Sequence, residues 1–123
     1  MNLTTGKEGE KIAEKHLREK GYKILTKNFR TNLGEIDIIC LDRETIIFVE
    51  VKTNTSKDFG APESRVDSRK QRQIIKGALS FLKQRGKLNS DCRFDVVSIL
   101  LMKNAKPEIE HIENAFQADG YLL

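Results

Sequence analysis

Cysteine is scarce in this chain of 123 residues, which has only Cys40 and Cys92. Two thiols so far apart exclude a disulfide framework and a thiolate zinc site. Cys40, inside an apolar run, reads as a small buried hydrophobe. Long hydrophobic runs are missing too. No stretch approaches the ~20 apolar residues of a membrane-spanning helix, and the N-terminus has no apolar signal segment. The expectation is a cytoplasmic protein with no membrane partner. Internal repeats and low-complexity tracts are also absent.

The length fits one domain, residues 1–123, in which folding buries about two-thirds of the chain's surface without covalent staples. Charged residues make up 33%, and Lys and Arg outnumber Asp and Glu by 22 to 18, a net charge of +4. That excess is compatible with a nucleic-acid partner and equally with simple solubility.

Residues 34–52 hold the most informative pattern. Two β-branched runs, Ile36–Leu41 and Thr45–Val51, flank the polar Asp42-Arg43-Glu44, as in an antiparallel hairpin. Alternation puts Glu35, Asp37, Ile39 and Leu41 on one face of the first strand. Ile46, Phe48, Glu50 and Lys52 share a face of the second. A loop of two or four residues sets Leu41 opposite Ile46, Ile39 opposite Phe48, Asp37 opposite Glu50 and Glu35 opposite Lys52. A one-residue slip would destroy that register.

Two facing carboxylates repel by about 4 kcal/mol at 4 Å and an effective dielectric near 20. A lysine, a shared proton or a cation must offset this. Hard oxygen ligands suit Mg²⁺ or Mn²⁺, and Lys52, roughly 6–7 Å along the strand from Glu50, could hold a water or a phosphate oxygen. Such equipment serves phosphodiester hydrolysis. Solvated charges at a frayed hairpin end, with Glu35 and Lys52 a weak surface pair, are the competing reading.

Asp37 followed by Glu50-Val51-Lys52 resembles the PD-(D/E)xK motif of restriction-endonuclease-like nucleases. No proline precedes Asp37, where the chain has Ile36. The longer string Gly34-Glu35-Ile36-Asp37 and Phe48-Val49-Glu50-Val51-Lys52-Thr53 is similar to the YraN-like family of small bacterial proteins. Asn28-Phe29-Arg30 before it and Arg93-Phe94-Asp95-Val96-Val97 after it extend the match over nearly the whole chain. The resemblance implies a fold related to archaeal Holliday-junction resolvases, with catalytic Asp37, Glu50 and Lys52. A glutamate of the first helix completes the metal site in resolvase-like relatives, and Glu10 resembles it. Lys70 and Gln71 resemble family positions near the site.

Taken in order, Thr5 and Glu8 form a capping-box pattern and Gly21 a helix stop, with Gly9, Ile12, Ala13, His16 and Leu17 as the apolar stripe. Glu10 borders that stripe; an exposed helix glutamate is the alternative. A strand begins at Tyr22 and extends to Phe29 or Arg30, with Lys23, Lys27 and Arg30 on its basic side. After the hairpin, residues 53–63 read as a loop leaving its charged end. A second helix runs from Val66–Asp67 to Gly86, with Ile74, Ile75, Ala78, Leu79 and Leu82 facing the sheet. Arg65, Arg69, Lys70, Gln71, Arg72 and Lys76 crowd its first turns. Cations there oppose the helix dipole, so a nucleic-acid phosphate is one compensating anion and plain solvation the other explanation.

Arg93–Leu101 reads as a buried central strand, with Asp95 near its start as a strand-end residue or, as the alternative, a hydrogen-bonding partner behind the site. Residues 108–112 read as an edge strand with Ile109 inward and His111 as a second inward candidate, and Asn114 as the cap of a short C-terminal helix. The order of elements indicates an α/β domain, a mixed sheet flanked by helices, and matches the αβββαβ core of restriction-endonuclease-like folds.

The leading expectation is a Mg²⁺- or Mn²⁺-dependent nuclease acting on DNA, branched or otherwise structured. Asp37, Glu50 and Glu10 would hold the metal, Lys52 would orient water, Glu35 would support them, and Arg69, Lys70, Gln71, Arg72 and Lys76 would grip phosphates. Cutting two strands would require a homodimer. The alternative is a nucleic-acid-binding or adaptor module that keeps the fold without cleaving.

Overall fold

The computed structural model describes residues 3–56 and 66–118. Seven elements follow one another: α1 (Leu3–Glu19), β1 (Lys23–Arg30), β2 (Glu35–Asp42), β3 (Thr45–Asn54), α2 (Ser68–Gln84), β4 (Cys92–Leu100) and β5 (Glu108–Phe116). The strands lie in one sheet in the order β1-β2-β3-β4-β5. Neighbours are antiparallel except β3 and β4, which are parallel because α2 carries the chain back across the sheet. The fold is α/β, a mixed five-stranded sheet between two helices.

Each helix covers one face. Ala13 and Leu17 of α1 pack with Ile38, Cys40, Ile47, Val49, Val97 and Ile99. Ile74, Ile75, Ala78, Phe81 and Leu82 of α2 pack with Ile36, Ile39, Ile46, Phe48, Phe94 and Val96. The strands that both helices cover are therefore apolar on both sides, and only their ends are polar. Burial pushes the Cys40 thiol up to about 12, which leaves it inert.

The hairpin closes through two residues, Arg43 and Glu44, with Arg43 in the left-handed region at φ 57°. Leu41 lies opposite Ile46 and Ile39 opposite Phe48, the register the sequence implies. Strict alternation does not hold to the end of β2. Ile36 packs on the α2 side with Ile39, while Ile38 packs on the α1 side. Asp37 therefore sits where the strand turns over, so Glu35, Asp37, Ile39 and Leu41 do not form one continuous face. The β2–β3 ladder stops at Ile38 and Val49, so the expected pairing of Asp37 opposite Glu50 does not form within it. Beyond it, Glu35 pairs with Arg30 at 3.3 Å instead of Lys52.

Other sequence expectations are corrected. Thr5 lies inside α1 instead of capping it. Thr53 and Asn54 continue β3 instead of opening a loop; the rest of that loop, from residue 57, and Arg65 lie outside the described residues. No C-terminal helix starts at Asn114, because β5 continues to Phe116. Asn114 takes φ 53° beside a register shift in the ladder, and Phe116 then stacks on Phe94 at 5.0 Å between ring centroids. Ile109 is exposed, not inward. Asp67 caps α2, its carboxylate accepting from the Lys70 amide at 2.9 Å.

Candidate active site

Where β2 and β3 separate, side chains replace the missing ladder. Val51 donates its backbone N–H to Asp37 Oδ2 at 2.8 Å, so a carboxylate serves as the acceptor for a strand amide. That bond holds Asp37 beside Glu50. Alternation from Phe48 turns Glu50 toward α2, where it is buried, 7% exposed. Lys70, in the first turn of α2, brings Nζ to 3.5 Å from Glu50 Oε2. The approach is an ion pair without a hydrogen bond: Oε2 is buried and has no hydrogen-bond partner. An orphaned buried carboxylate oxygen is costly, and native folds rarely leave one unexplained.

Electrostatics follow from that placement. Burial pushes the Glu50 carboxyl up to about 8, and the Asp37 carboxylate adds to the shift; Lys70 and Lys52 oppose it without cancelling it. Without a cation, Glu50 and Asp37 together therefore hold a proton more readily than two free carboxylates would.

Glu10 reaches the same end of the sheet from α1. Gly9 makes this approach possible: a Cβ there would lie 1.9 Å from Thr53 Oγ1, so the helix can lie against β3 only at a residue without a side chain. The half-buried Glu10 that follows has its carboxyl raised, by burial first and then by Asp37. Asn28 offers it a side-chain hydrogen bond that acts the other way. Asp37 of β2 thus raises the carboxyls of both Glu10 on α1 and Glu50 on β3.

The orphaned Oε2 and the raised carboxyls of Glu50 and Glu10 are features that a hard divalent cation would relieve. Asp37, Glu50 and Glu10 are the residues that could hold it, although their oxygens are not gathered within 4.8 Å of one another; among the described residues Asp95, His111 and Glu113 are the group that is. Lys52 is half-buried and close enough to pull the Glu50 carboxyl down. Glu35 is exposed at the rim, engaged with Arg30.

The basic helix turns lie alongside. Arg69, Arg72 and Lys76 are exposed, and Lys70 is half-buried against Glu50. Gln71 donates its side-chain amide to the Val66 carbonyl at 2.8 Å, which ties the entry of α2. A larger cavity of about 560 Å³ lies at the opposite end, floored by Leu25, Leu41, Ile46 and Phe81; none of the three carboxylates lines it.

Comparison with known proteins now bears on the site. The model of the uncharacterised protein family UPF0102 matches residues 9–99, a span that contains all three carboxylates and Lys52. The chain belongs to this family. A UPF0102 protein of Geobacter metallireducens is 49% identical over 116 residues, covering 94% of each chain. One from Syntrophomonas wolfei is 47% identical across 94% of this chain and 100% of its own. Another, from Caldanaerobacter subterraneus, is 45% identical over 92% and 94%. UPF0102 corresponds to the YraN-like group that the motif string resembles.

A second polar cluster in this UPF0102 chain centres on β4. Asp95, fully buried, is a hub instead of a strand-end residue. It accepts from Arg93 Nε at 3.0 Å, from the Asn114 amide at 2.9 Å and from His111 Nε2 at 2.7 Å. Lys20 Nζ lies 2.8 Å from His111 Nδ1; an ammonium only donates, so Nε2 carries the proton toward Asp95. Arg93 also reaches Tyr22 and Glu113. Burial raises the Asp95 carboxyl, but these donors outweigh it and the net shift is down. The available signal was the i, i+2 spacing of Arg93 and Asp95, which puts both on one face.

Proposed function

We propose that this protein is a metal-dependent nuclease that hydrolyses phosphodiester bonds in DNA, with Mg²⁺ or Mn²⁺ held by Asp37, Glu50 and Glu10. The observation that carries the reading is Glu50: buried, beside a second carboxylate, with an oxygen that nothing hydrogen-bonds. A protein has little reason to assemble such a group unless a ligand completes it. The bound ion would supply charge neutralisation and Lewis acidity at the scissile phosphate.

The chain's own residues supply the rest. Asp37 is fixed by the Val51 amide beside Glu50. Lys52 holds a phosphate oxygen or the attacking water close to Glu50. Lys70 offsets negative charge at Glu50 and is placed to meet a phosphate, while Arg69, Arg72 and Lys76 extend the cationic surface along α2. Gln71 orders the start of that helix. Glu35 and Arg30 form the outer rim. The PD-(D/E)xK resemblance supports the same assignment. Severing both strands of a duplex would take two copies.

The test uses branched and linear DNA with Mn²⁺ and calorimetry of Mn²⁺ alone. Wild type should cleave and bind the ion, Asp37→Asn should lose both, and Lys52→Ala should bind the ion but lose cleavage by about 10²-fold or more. DNA affinity that ignores both Mn²⁺ and Asp37→Asn would instead identify a non-catalytic binding module.

A further inference from the structure

The turn between β1 and β2 holds Leu33 out in solvent, 57% exposed. Its backbone is not loose. Thr31 Oγ1 accepts from the amides of Leu33 and Gly34 at 3.1 and 3.2 Å, and the Thr31 amide donates to the Gly34 carbonyl at 2.9 Å. The turn is also seated on α2: a Cβ on Gly34 would fall 2.0 Å from the Gln73 carbonyl oxygen. The exposure of Leu33 is therefore imposed by an ordered turn.

Its surroundings are polar and cationic. Leu33 shares a shallow depression with Arg30, Asn32, Lys70 and Gln73, and Lys70 is the residue that pairs with Glu50. A single exposed leucine is ordinary on a protein surface. One held rigidly among cations, at the mouth of a carboxylate site, suits a partner that offers an apolar face between anions. Stacked nucleic-acid bases have that character, with phosphates on either side.

We propose that Leu33 is a wedge that enters between bases where stacking is already interrupted, while Arg30 and Lys70 take the flanking phosphates. The proposal rests on the nuclease reading for the substrate class. It adds a source of selectivity: burying one leucine gains no more than the cost of opening an intact base step. The wedge therefore favours a branch, nick or flap, where that step is already open, over continuous duplex.

The experiment compares wild type, Leu33→Ala and Leu33→Met on DNA carrying 2-aminopurine beside a branch, and on the fully paired duplex. Binding is read by anisotropy and unstacking by 2-aminopurine emission, with Ca²⁺ replacing Mn²⁺. Wild type should raise the emission at the branch. Leu33→Ala should abolish that rise and lose about tenfold of the branch preference, with duplex affinity unchanged and circular dichroism intact; Leu33→Met should resemble wild type. Unchanged emission and preference in Leu33→Ala would overturn the wedge and leave the nuclease reading standing. Unstacking without cleavage in Mn²⁺ would uphold the wedge and end the nuclease reading. Failure of wild type to bind any DNA would end both.

Discussion

Glu50 is the residue at which stability and the proposed function conflict. Its folded-state carboxyl titrates near 8, above the ~4.3 of an unfolded chain. Between those values the folded protein binds the proton and the unfolded chain does not. The sign is therefore negative: stability is fully present below about pH 4 and declines as pH rises through the folded value. Metal-free protein should unfold at lower urea concentration at pH 8.5 than at pH 6. Glu50→Gln should remove that part of the slope and stabilise the metal-free protein at pH 8.5 by on the order of 2 kcal/mol, while losing Mn²⁺ affinity. Mn²⁺ should protect wild type at pH 8.5, since it replaces the proton. A variant that loses function while gaining stability separates a working site from a structural carboxylate.

At the scale of elements, α1 and the β1–β2 turn are fitted to the sheet through glycines that leave no room for a methyl group. Gly9 meets Thr53, and Gly34 meets the Gln73 backbone. Gly9→Ala must push α1 away from β3, and Glu10 moves with it. Urea unfolding should show a loss of about 1–3 kcal/mol, the usual cost of overpacking. Mn²⁺ affinity should fall by more than in Glu8→Ala, an exposed change one residue away. Equal Mn²⁺ affinity in the two variants would remove Glu10 from the metal site. α2 does two things with one set of residues: its buried stripe covers the sheet, and its first turn brings Lys70 to Glu50.

Across the whole molecule, two polar centres lie apart, and the carboxylate site joins Glu10 of α1 to Glu50 beside Lys70 of α2. The carboxylate site lies by Glu10, while the Asp95 hub lies by Lys20 and Tyr22, about 15 Å further along the helix direction. The hub joins the exit of α1 to β4 and β5, and it holds the irregular part of the β4–β5 ladder. Because the Asp95 carboxyl is lowered, its contribution is present above the unfolded value near pH 4 and lost as pH falls through the folded one. Asp95→Asn should cost about 3 kcal/mol at pH 7, since Arg93 would keep a charge with its main buried partner gone. It should also flatten the loss of stability between pH 5 and pH 2, measured by thermal unfolding. Cleavage chemistry should survive in the folded fraction, because no atom of the hub belongs to the carboxylate site. The two sheet edges differ in charge: β1 presents Lys23, Lys27 and Arg30, and β5 presents Glu108, Glu110 and Glu113. Each edge repels the same edge of a second copy, which guards against like-to-like edge pairing.

The sequence by itself determined the order of elements through β5, the hairpin register near its turn and most of the two helix stripes, although Phe81 and not Leu79 joins the buried face of α2. These rest on local periodicity and on a two-residue turn. Asp37, Glu50 and Lys52 were legible for the same reason: charges at the end of an apolar strand are conspicuous. Tertiary structure alone decided how those charges meet. Asp37 turns over at the end of its ladder, which no alternation rule encodes, and Glu35 pairs with Arg30 because β2 and β3 have already separated there. Asp95 looked peripheral until β5, carrying His111 and the Asn114 amide, and the end of α1, carrying Lys20, closed around it. Asn114 looked like a helix cap because Asn favours caps and left-handed bulges alike, and only the Phe94–Phe116 stack and the Asp95 carboxylate select the strand. Short-range pattern is written in neighbouring residues; the partner of a buried charge depends on segments far apart in the chain.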